Sequence, residues 1–201
     1  MGTLRKSGNA GTTTLDSSVN LYNTGTVDVR SGTLLIDSGG VFNTGTTIIG
    51  SGTLTFGSVT TFNGLITTTN LQLTAGETLT GTNVLAGTLT LGGGTLTGVM
   101  TIATNGVINA SGGGTASLSA LTLTNNGTVN WTNTTVDSGL GTVIYNYGLW
   151  NAQGDDLFQG NDLGQPGTIF NNMGTLRKSG NTGTTTLDAN VTLYNLSLIH
   201  I

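Results

Sequence analysis

A unit of about 20 residues recurs in register along the chain, and this periodicity constrains the fold more than any other feature of the sequence. Residues 25–44 are followed by residues 45–64, in which Gly, Thr, Ser, Leu, Phe and Asn return at matching positions. A period in this range is typical of solenoids, whose repeats bury a hydrophobic face only by stacking on their neighbours.

Aromatic-Asn pairs mark the ends of these units. The first three pairs are Tyr22-Asn23, Phe42-Asn43 and Phe62-Asn63, and the single Asn83 continues their even spacing. Looser members follow, at a spacing of roughly 20 to 25 that is typical of solenoid coils: the single Asn105 and Asn126, and the pairs Tyr145-Asn146, Phe170-Asn171 and Tyr194-Asn195. Asparagine tolerates left-handed backbone conformations and bonds to neighbouring backbone, and asparagine ladders occur in other cross-β stacks. We therefore predict a stacked asparagine ladder of Asn23, Asn43, Asn63 and Asn83. The aromatic partners are predicted to form an internal stack of Tyr22, Phe42 and Phe62.

Ligand binding or glycan attachment is the alternative role for the asparagines. Asn109-Ala110-Ser111 and Asn133-Thr134-Thr135 match the glycan acceptor pattern. That pattern is short and common in any chain rich in Asn and Thr.

Within each unit the residue pattern favours strands. Residues 26–29, 33–36 and 53–56 are short, β-branched, partly alternating runs bounded by Ser-Gly, Asp-Ser-Gly-Gly or Asn-x-Gly. We expect an all-β fold, a right-handed parallel β-helix (β-solenoid) with two or three strands in each coil of about 20–25 residues. A leucine-rich repeat shares the period but requires a fixed leucine spacing that is missing here. A β-sandwich is the other alternative, but it does not require the same register from unit to unit.

A longer repeat joins the two ends of the chain. Residues 1–23 return as residues 173–195, identical at all but four positions, with a constant offset of 172 in the numbering. We expect residues 1–195 to be one solenoid fragment of a longer natural protein. Residues 196–201 break the pattern and resemble the translation of a sequencing adapter, so they are predicted to be foreign, including His200, the only histidine.

The composition narrows the class of protein. Charged residues make up only 7% of the chain, against roughly a quarter in ordinary globular domains. With a net charge of −4 and no basic patch, nucleic acid is not an expected partner. The chain has no cysteine for disulfides or thiolate metal sites and no apolar run long enough for a membrane-spanning helix, so membrane insertion is not expected.

The recurring phrases resemble those of a known group of proteins. Phe-Asn-x-x-Gly-Thr-Leu, Ser-Gly-Thr-Leu and Asn-Gly-Thr-Val recur over essentially all of residues 1–195. These phrases are similar to the passenger regions of filamentous-haemagglutinin-like and autotransporter adhesins. The resemblance implies a β-helical segment of a large protein that is exported to the outer surface of a Gram-negative-type bacterium. Host-surface or matrix glycans or proteins would then be the partners.

The sequence contains no convincing set of catalytic residues. Polysaccharide lyases and hydrolases on β-helices need clustered carboxylates or a carboxylate-held cation. The acids of this chain are mostly solitary: Asp16, Asp28, Asp37, Glu77, Asp137, Asp155, Asp156, Asp162 and Asp188. Asp16 and Asp188 are equivalent repeat positions and are predicted to be turn elements. We expect no enzyme activity, no cofactor and no metal.

One stretch departs from the coil rhythm and is the candidate binding loop. The unit between Asn146 and Asn171 is longer than the others. Insertions in solenoids emerge as loops and often carry binding residues. The candidates are Trp150, Asp155, Asp156, Phe158 and Asp162. Calcium binding by the three carboxylates and a sugar platform formed by the two aromatic residues are the candidate roles, against a solvated loop and core packing.

Ice binding is a further hypothesis, because aligned Thr-x-Thr rows can face a lattice. Five such triplets begin at irregular intervals, at Thr53, Thr78, Thr88, Thr95 and Thr122. Alternating Thr and Leu is also typical of any half-buried strand. The sequence therefore favours a structural or adhesive stalk, with a polysaccharide-acting or polysaccharide-binding β-helix and an ice-binding solenoid as alternatives.

Overall fold

The computed structural model describes residues 2–197, and these residues form strands and turns with no helix. The strands, in chain order, are β1 (Thr3–Lys6), β2 (Thr12–Leu15), β3 (Tyr22–Asn23), β4 (Thr26–Val29), β5 (Thr33–Ile36), β6 (Gly40–Ile49), β7 (Thr53–Phe56), β8 (Val59–Ile66), β9 (Leu71–Leu73), β10 (Thr78–Thr80), β11 (Thr82–Leu85), β12 (Thr88–Leu91), β13 (Thr95–Ile102), β14 (Val107–Ser111), β15 (Thr115–Asn125), β16 (Thr128–Thr132), β17 (Thr135–Gly139), β18 (Val143–Asn146), β19 (Leu149–Ala152), β20 (Leu157–Gln159), β21 (Thr168–Asn172), β22 (Thr175–Lys178), β23 (Thr186–Leu187) and β24 (Val191–Asn195). No described segment is a helix long and apolar enough to cross a membrane.

Every strand pairs in parallel with strands of the neighbouring coils, and the pairs form three faces. Face 1 consists of β1, β4, the second half of β6 and of β8, β11, the second half of β13 and of β15, β18, β21 and β24. Face 2 consists of β2, β5, β7, β9, β12, β14, β16, β19 and β22. Face 3 consists of β3, the first half of β6 and of β8, β10, the first half of β13 and of β15, β17, β20 and β23. The chain passes from face 1 to face 2 to face 3 and back to face 1 in every coil.

The coils confirm the predicted parallel β-solenoid. Face 2 has nine strands, so there are about nine turns. At the usual spacing between strands the stack is about 40 Å long. The number of residues in one coil varies. The segment between the paired residues Leu54 and Leu71 is short, and the segment between the paired residues Leu149 and Thr175 is much longer. A β-sandwich is excluded, because its sheets are antiparallel.

The core is a continuous column of inward side chains. Alternate residues of each strand point inward, and the buried set runs from Val27 to Phe170. Phe42 and Phe62 are fully buried and paired in register with their ring centroids 5.5 Å apart, as predicted.

Tyr22 is not part of that stack, so this part of the prediction is wrong. Its side chain is 74% exposed, because it pairs with Val41 instead of Phe42. A shift of one residue turns a strand side chain to the opposite side of the sheet. Equal spacing in sequence therefore did not place Tyr22 at the same coil position as Phe42.

The corner between faces 3 and 1 needs a left-handed residue where two coils approach closely. Gly98 has a φ of 82°, and a Cβ at this position would lie 2.6 Å from the carbonyl oxygen of Gly81 in the preceding coil. The next coil accommodates one extra residue at the same corner, Ala120, with a φ of 47°. Because β13 and β15 continue through this corner, faces 3 and 1 form one 15-stranded sheet.

Candidate functional site

The two aromatic residues of the candidate binding loop are core residues. Trp150 is 2% exposed and Phe158 is fully buried. They lie 6.1 Å apart between ring centroids, and Phe170 lies 5.0 Å from Trp150. Trp131 completes this cluster by an edge-on contact with Phe158. Of the two roles left open for Trp150 and Phe158, the structure supports core packing and excludes a sugar platform, because neither ring reaches the surface.

Two of the loop carboxylates are used to hold backbone together between coils. Asp156 accepts hydrogen bonds from the backbone amides of Asn133 and Thr134, at 2.9 and 3.1 Å. Asp155 forms an ion pair with the ammonium of Lys178, at 2.7 Å, and accepts from the amide of Gly183. Both carboxylates thus act as links between one coil and the next.

Asp162 lies next to Asp137 of face 3 instead of joining the other loop carboxylates. Burial raises the pKa of Asp137 to about 6, and the charge and hydrogen bond of Asp162 act in the same direction. The Asp162 carboxylate also accepts from the side chain of Gln159 at 3.4 Å. Across residues 2–197 no three potential metal-ligating side chains come together, so Asp155, Asp156 and Asp162 do not converge on one site for the candidate calcium ion.

The true insertion is shorter than predicted and comprises residues 160–167. β19 and β20 continue the regular coil on faces 2 and 3, and only the connection from β20 to β21 is enlarged. The amide of Gly160 donates to Asp188 at 2.9 Å, which ties this connection to the following coil. Asp188 also accepts from the amide of Asn190, as Asp16 does from Ser18, so the turn role predicted for both acids is confirmed.

A hydrogen-bonded asparagine ladder exists, but it is formed by residues other than those predicted. Along face 1 each side-chain amide donates to the carbonyl oxygen of the next, at 2.7 Å, through Asn125, Asn146, Asn172 and Asn195. Asn125 and Asn146 are fully buried and also donate to the carbonyls of Leu149 and Thr175. The ladder replaces the inward aliphatic residues of earlier coils, such as Ile102.

The four asparagines predicted to stack do not bond to one another in the part of the chain that the structure describes. Asn23 donates to the carbonyl of Gly25 and to Thr46, and Asn63 accepts from the amide of Thr82. Asn43 is exposed, and Asn83 is buried with its carbonyl oxygen unpartnered. None of the four has a positive φ, unlike Asn133 and Asn181. The predicted ladder is therefore wrong in position, because the early coils differ in length.

A buried charge lies near the start of the solenoid. Asp28 is 2% exposed, and its carboxylate accepts from the guanidinium groups of Arg5, at 2.8 Å, and Arg30, at 2.7 Å. Burial alone would raise the pKa of Asp28, but the hydrogen bonds and charges of Arg30 and Arg5 outweigh it and lower the pKa below its ordinary value. The Arg5–Asp28 pair joins two successive coils, and Arg30 pairs with Asp28 within one coil.

The cavity next to the aromatic cluster is too small to hold a ligand. That cavity measures about 20 Å³ and is lined only by apolar side chains, among them Leu91, Ala110 and Val136. Such a volume holds about one water molecule. Trp150 lies on its wall, and its indole nitrogen has no hydrogen-bond partner.

The outward surface of face 1 carries a series of exposed apolar side chains. Six of its outward side chains are large, apolar and between 37 and 51% exposed: Leu65, Val84, Val99, Tyr145, Ile169 and Tyr194. We name this surface, from residue 47 to residue 194, the apolar strip. The strip is not predictable from the sequence alone, because outward residues of one face can be grouped only once the coil register is known. The signal was present in Tyr145-Asn146 and Tyr194-Asn195, where the tyrosine points out and the asparagine points in.

The threonine triplets do not form one ice-like surface. Those beginning at Thr53 and Thr88 lie on face 2, those at Thr78 and Thr95 on face 3, and that at Thr122 on face 1. Only Thr78 and Thr95 are direct neighbours. The triplets are therefore ordinary half-buried strand segments distributed around the coil.

No family model, no curated protein and no solved structure matches this chain. The resemblance to adhesin passenger regions is consequently supported at the level of the fold alone, a parallel β-solenoid. Any function must be argued from the coils, the core and the surface chemistry.

Proposed function

We propose that this chain is a segment of a rigid stalk in a secreted or surface-exposed repeat protein. The observation that carries the proposal is the unbroken stack of parallel strands on three faces around one continuous core. Each coil contacts only its neighbours, so length is added without changing the cross-section. Such a structure holds its two ends at a fixed separation.

The side-chain chemistry supports a structural role. Two ion pairs described above, Arg5 with Asp28 and Lys178 with Asp155, link successive coils. The asparagine ladder links four coils through buried amides. These groups are occupied by contacts within the solenoid, which is the arrangement expected of a scaffold.

The adhesive part of the proposal follows from the sequence phrases and from the surface. The resemblance to filamentous-haemagglutinin-like and autotransporter passengers favours export to the surface of a Gram-negative-type bacterium. Glycans or proteins of a host surface or matrix are the proposed partners. Enzyme activity is not part of the proposal; Asp28, Asp155, Asp156 and Asp188 are held in the structural contacts given above.

The stalk proposal is tested by the thickness of a layer of chains anchored at one end. The chain is anchored to a supported bilayer through its C-terminus, and neutron reflectometry measures the layer thickness for one copy and for two copies in tandem. A rigid stalk should give about 40 Å for one copy and twice that for two, from the strand spacing. A thickness that stays near one value, or that collapses at low surface density as a flexible chain would, contradicts the proposal.

We also expect end-to-end association of this chain. Leu4 and Leu15 in the first described coil, and Leu176 and Leu187 in the last, are only partly buried against the core. Coil edges that carry apolar residues and backbone groups are templates for further strands. Sedimentation velocity should show species that grow with concentration and disappear when a polar capping coil is fused to each end. A monomer at all concentrations without caps would refute this expectation.

A further inference from the structure

The apolar strip consists of two parallel columns of outward side chains on face 1. One column contains Thr82, Val99, Thr122, Val143, Ile169 and Thr192. The other contains Thr47, Leu65, Val84, Thr101, Thr124, Tyr145, Asn171 and Tyr194. Each step along a column is one coil, so the columns run parallel to the solenoid axis.

The strip carries no charged side chain, whereas face 3 has one and face 2 has charges in its last strand alone. The face 1 strands from residue 46 to residue 195 contain no Asp, Glu, Lys, Arg or His. Face 3 carries Asp137, and face 2 carries Arg177 and Lys178. A long surface with exposed apolar groups and hydroxyls but no charge is complementary to an uncharged partner, because a charged partner would lose hydration without gaining an ion pair.

The dimensions of the strip favour a narrow, linear partner. Eight stacked strands give a length of about 35 Å, and two columns give a width of about 10 Å. The resulting area of about 350 Å² is well below the roughly 800 Å² that each partner buries in a stable protein interface. A second copy of the chain would therefore not be held stably by this surface alone.

The tyrosines are placed to contact a linear polymer. Tyr145 and Tyr194 belong to the same column, with Asn171 between them, so the two rings are separated by two coil spacings, about 10 Å. Tyrosine combines an apolar ring face with a hydroxyl that forms hydrogen bonds. Thr101 and Thr124 continue the column with further hydroxyl groups.

We propose that the apolar strip binds an uncharged polysaccharide along the solenoid axis, with sugar rings stacked on Tyr145 and Tyr194 and with hydroxyls bonded by Thr101, Thr124 and Asn171. This inference deepens the adhesive part of the proposed function by naming the partner class and the surface that binds it. The stalk itself does not depend on it.

The experiment is affinity gel electrophoresis of the full chain in gels that contain dextran, galactomannan or mixed-linkage β-glucan, with heparin and polygalacturonate as charged polymers. At least one uncharged polymer should retard the chain, and high salt should leave that retardation unchanged, since no ion pair is involved. The double variant Tyr145→Ser/Tyr194→Ser should bind at least tenfold more weakly. The matched control is Tyr22→Ser, which removes an exposed tyrosine outside the strip and should bind like the original chain.

Circular dichroism establishes that all variants remain β-solenoids, and two further variants, Tyr145→Phe and Tyr194→Phe, should retain binding through their rings. Three results would overturn the proposal: no retardation by any uncharged polymer, equal loss in the Tyr22→Ser control, or salt-sensitive binding of the charged polymers only. Each of these results leaves the layer-thickness test of the stalk unaffected, so the two proposals fail separately.

Discussion

Residues 2–23 and residues 174–195 are almost the same sequence, yet they lie on different faces of the solenoid. β1 pairs with β4 on face 1, whereas its copy β22 pairs with β19 on face 2. β2 lies on face 2 and its copy, which contains β23, on face 3. β3 lies on face 3, whereas β24 lies on face 1. The two copies are therefore one face out of phase.

What the copies share is the alternation of side chains. Leu4 and Leu176 both face the core, beside Val27 and Trp150 respectively. What differs is the partner of the neighbouring arginine: Arg5 bonds to the buried Asp28 carboxylate, whereas Arg177 bonds to the amide oxygen of Asn151. The strand's own sequence sets which residues point inward, and the adjacent coil sets the face.

The phase difference has a simple geometric meaning. Eight coils separate β1 from β21 on face 1, and β22 lies one face further on. The repeat offset of 172 therefore corresponds to eight coils and one third. Two consecutive blocks of this kind would be rotated by one third of a turn, so equivalent surfaces would point in different directions.

The largest loss of stability is expected from a deletion that disturbs the order of the three faces along the chain. Deleting residues 25–44 removes one whole coil and keeps the order of faces, so the free energy of unfolding should fall by about 1–3 kcal/mol, the usual share of one coil. Deleting residues 25–34 removes the face 1 strand β4 and leaves β3 of face 3 joined to face 2. Thermal melts by circular dichroism should show a cooperative transition for the first variant and a broad one for the second. Equal damage from both would contradict the coil assignment.

The next largest difference in stability is expected between the loss of an inward aromatic side chain and the loss of an outward one. Phe62→Ala should lower the free energy of unfolding by about 3–5 kcal/mol, because it leaves a cavity in the core. Tyr22→Ala should change it by less than about 0.5 kcal/mol, as is usual for a surface position. Urea denaturation measures both values. A large loss from Tyr22→Ala would mean that the first copy has the internal register that the spacing of the aromatic-Asn pairs predicted.

The asparagines of the two copies should also differ. Asn195 is the last member of the buried ladder, whereas its counterpart Asn23 bonds to Gly25 and Thr46. Asn146→Ala, in the middle of the ladder, leaves buried amide groups without partners and should cost about 2–3 kcal/mol. Asn23→Ala should cost about 1 kcal/mol or less. If urea denaturation gave the same cost for both, the ladder would not be a stabilising unit.

The smallest effect concerns the paired arginines. Arg5→Gln should cost about 1 kcal/mol at neutral pH, because Arg5 is half exposed and its ion pair is screened, and Arg177→Gln should cost less. The lowered pKa of Asp28 means that this stability is present above the unfolded-state pKa and is lost as the pH falls through the folded-state pKa. The difference between Arg5→Gln and the original chain, measured by melting, should therefore shrink on acidification below about pH 4. A difference that grows on acidification would contradict the pairing.

The sequence was sufficient for the architecture but not for the coil positions of single residues. The recurring unit predicted stacked coils, and the turn chemistry of Asp16 and Asp188 was local enough to predict. The asparagine ladder was misplaced because a ladder requires equivalent coil positions, and the chain reaches these at intervals that vary from coil to coil. Trp150 and Phe158 lie in a unit whose extra length predicts a loop, and the sequence left open whether their rings are core or surface; the stacked coils bury both.

The expected absence of enzyme activity and the expected partners stay untested, as do two other predictions. The foreign origin of residues 196–201 is one, and His200 lies outside the described residues. The described Leu196 does bond through its amide to the carbonyl of Asn172, so the coil continues at least to this residue. Location on a bacterial surface is the other.

Disulfide trapping tests most directly whether the two copies lie on different faces. Because the chain has no native cysteine, any disulfide within it must join the two introduced cysteines. Thr3 lies beside Thr26, and Thr175 lies beside Leu149, so cysteines at either pair should form a disulfide on mild oxidation, since adjacent strands bring Cα atoms within bonding range. If the first copy had the phase of the second, Thr3 would instead lie on face 2 beside Thr33, the position that Thr12 occupies. We predict rapid bridging of the Thr3→Cys/Thr26→Cys and Thr175→Cys/Leu149→Cys variants and none of Thr3→Cys/Thr33→Cys. Bridging of Thr3→Cys/Thr33→Cys in place of Thr3→Cys/Thr26→Cys would contradict the phase difference.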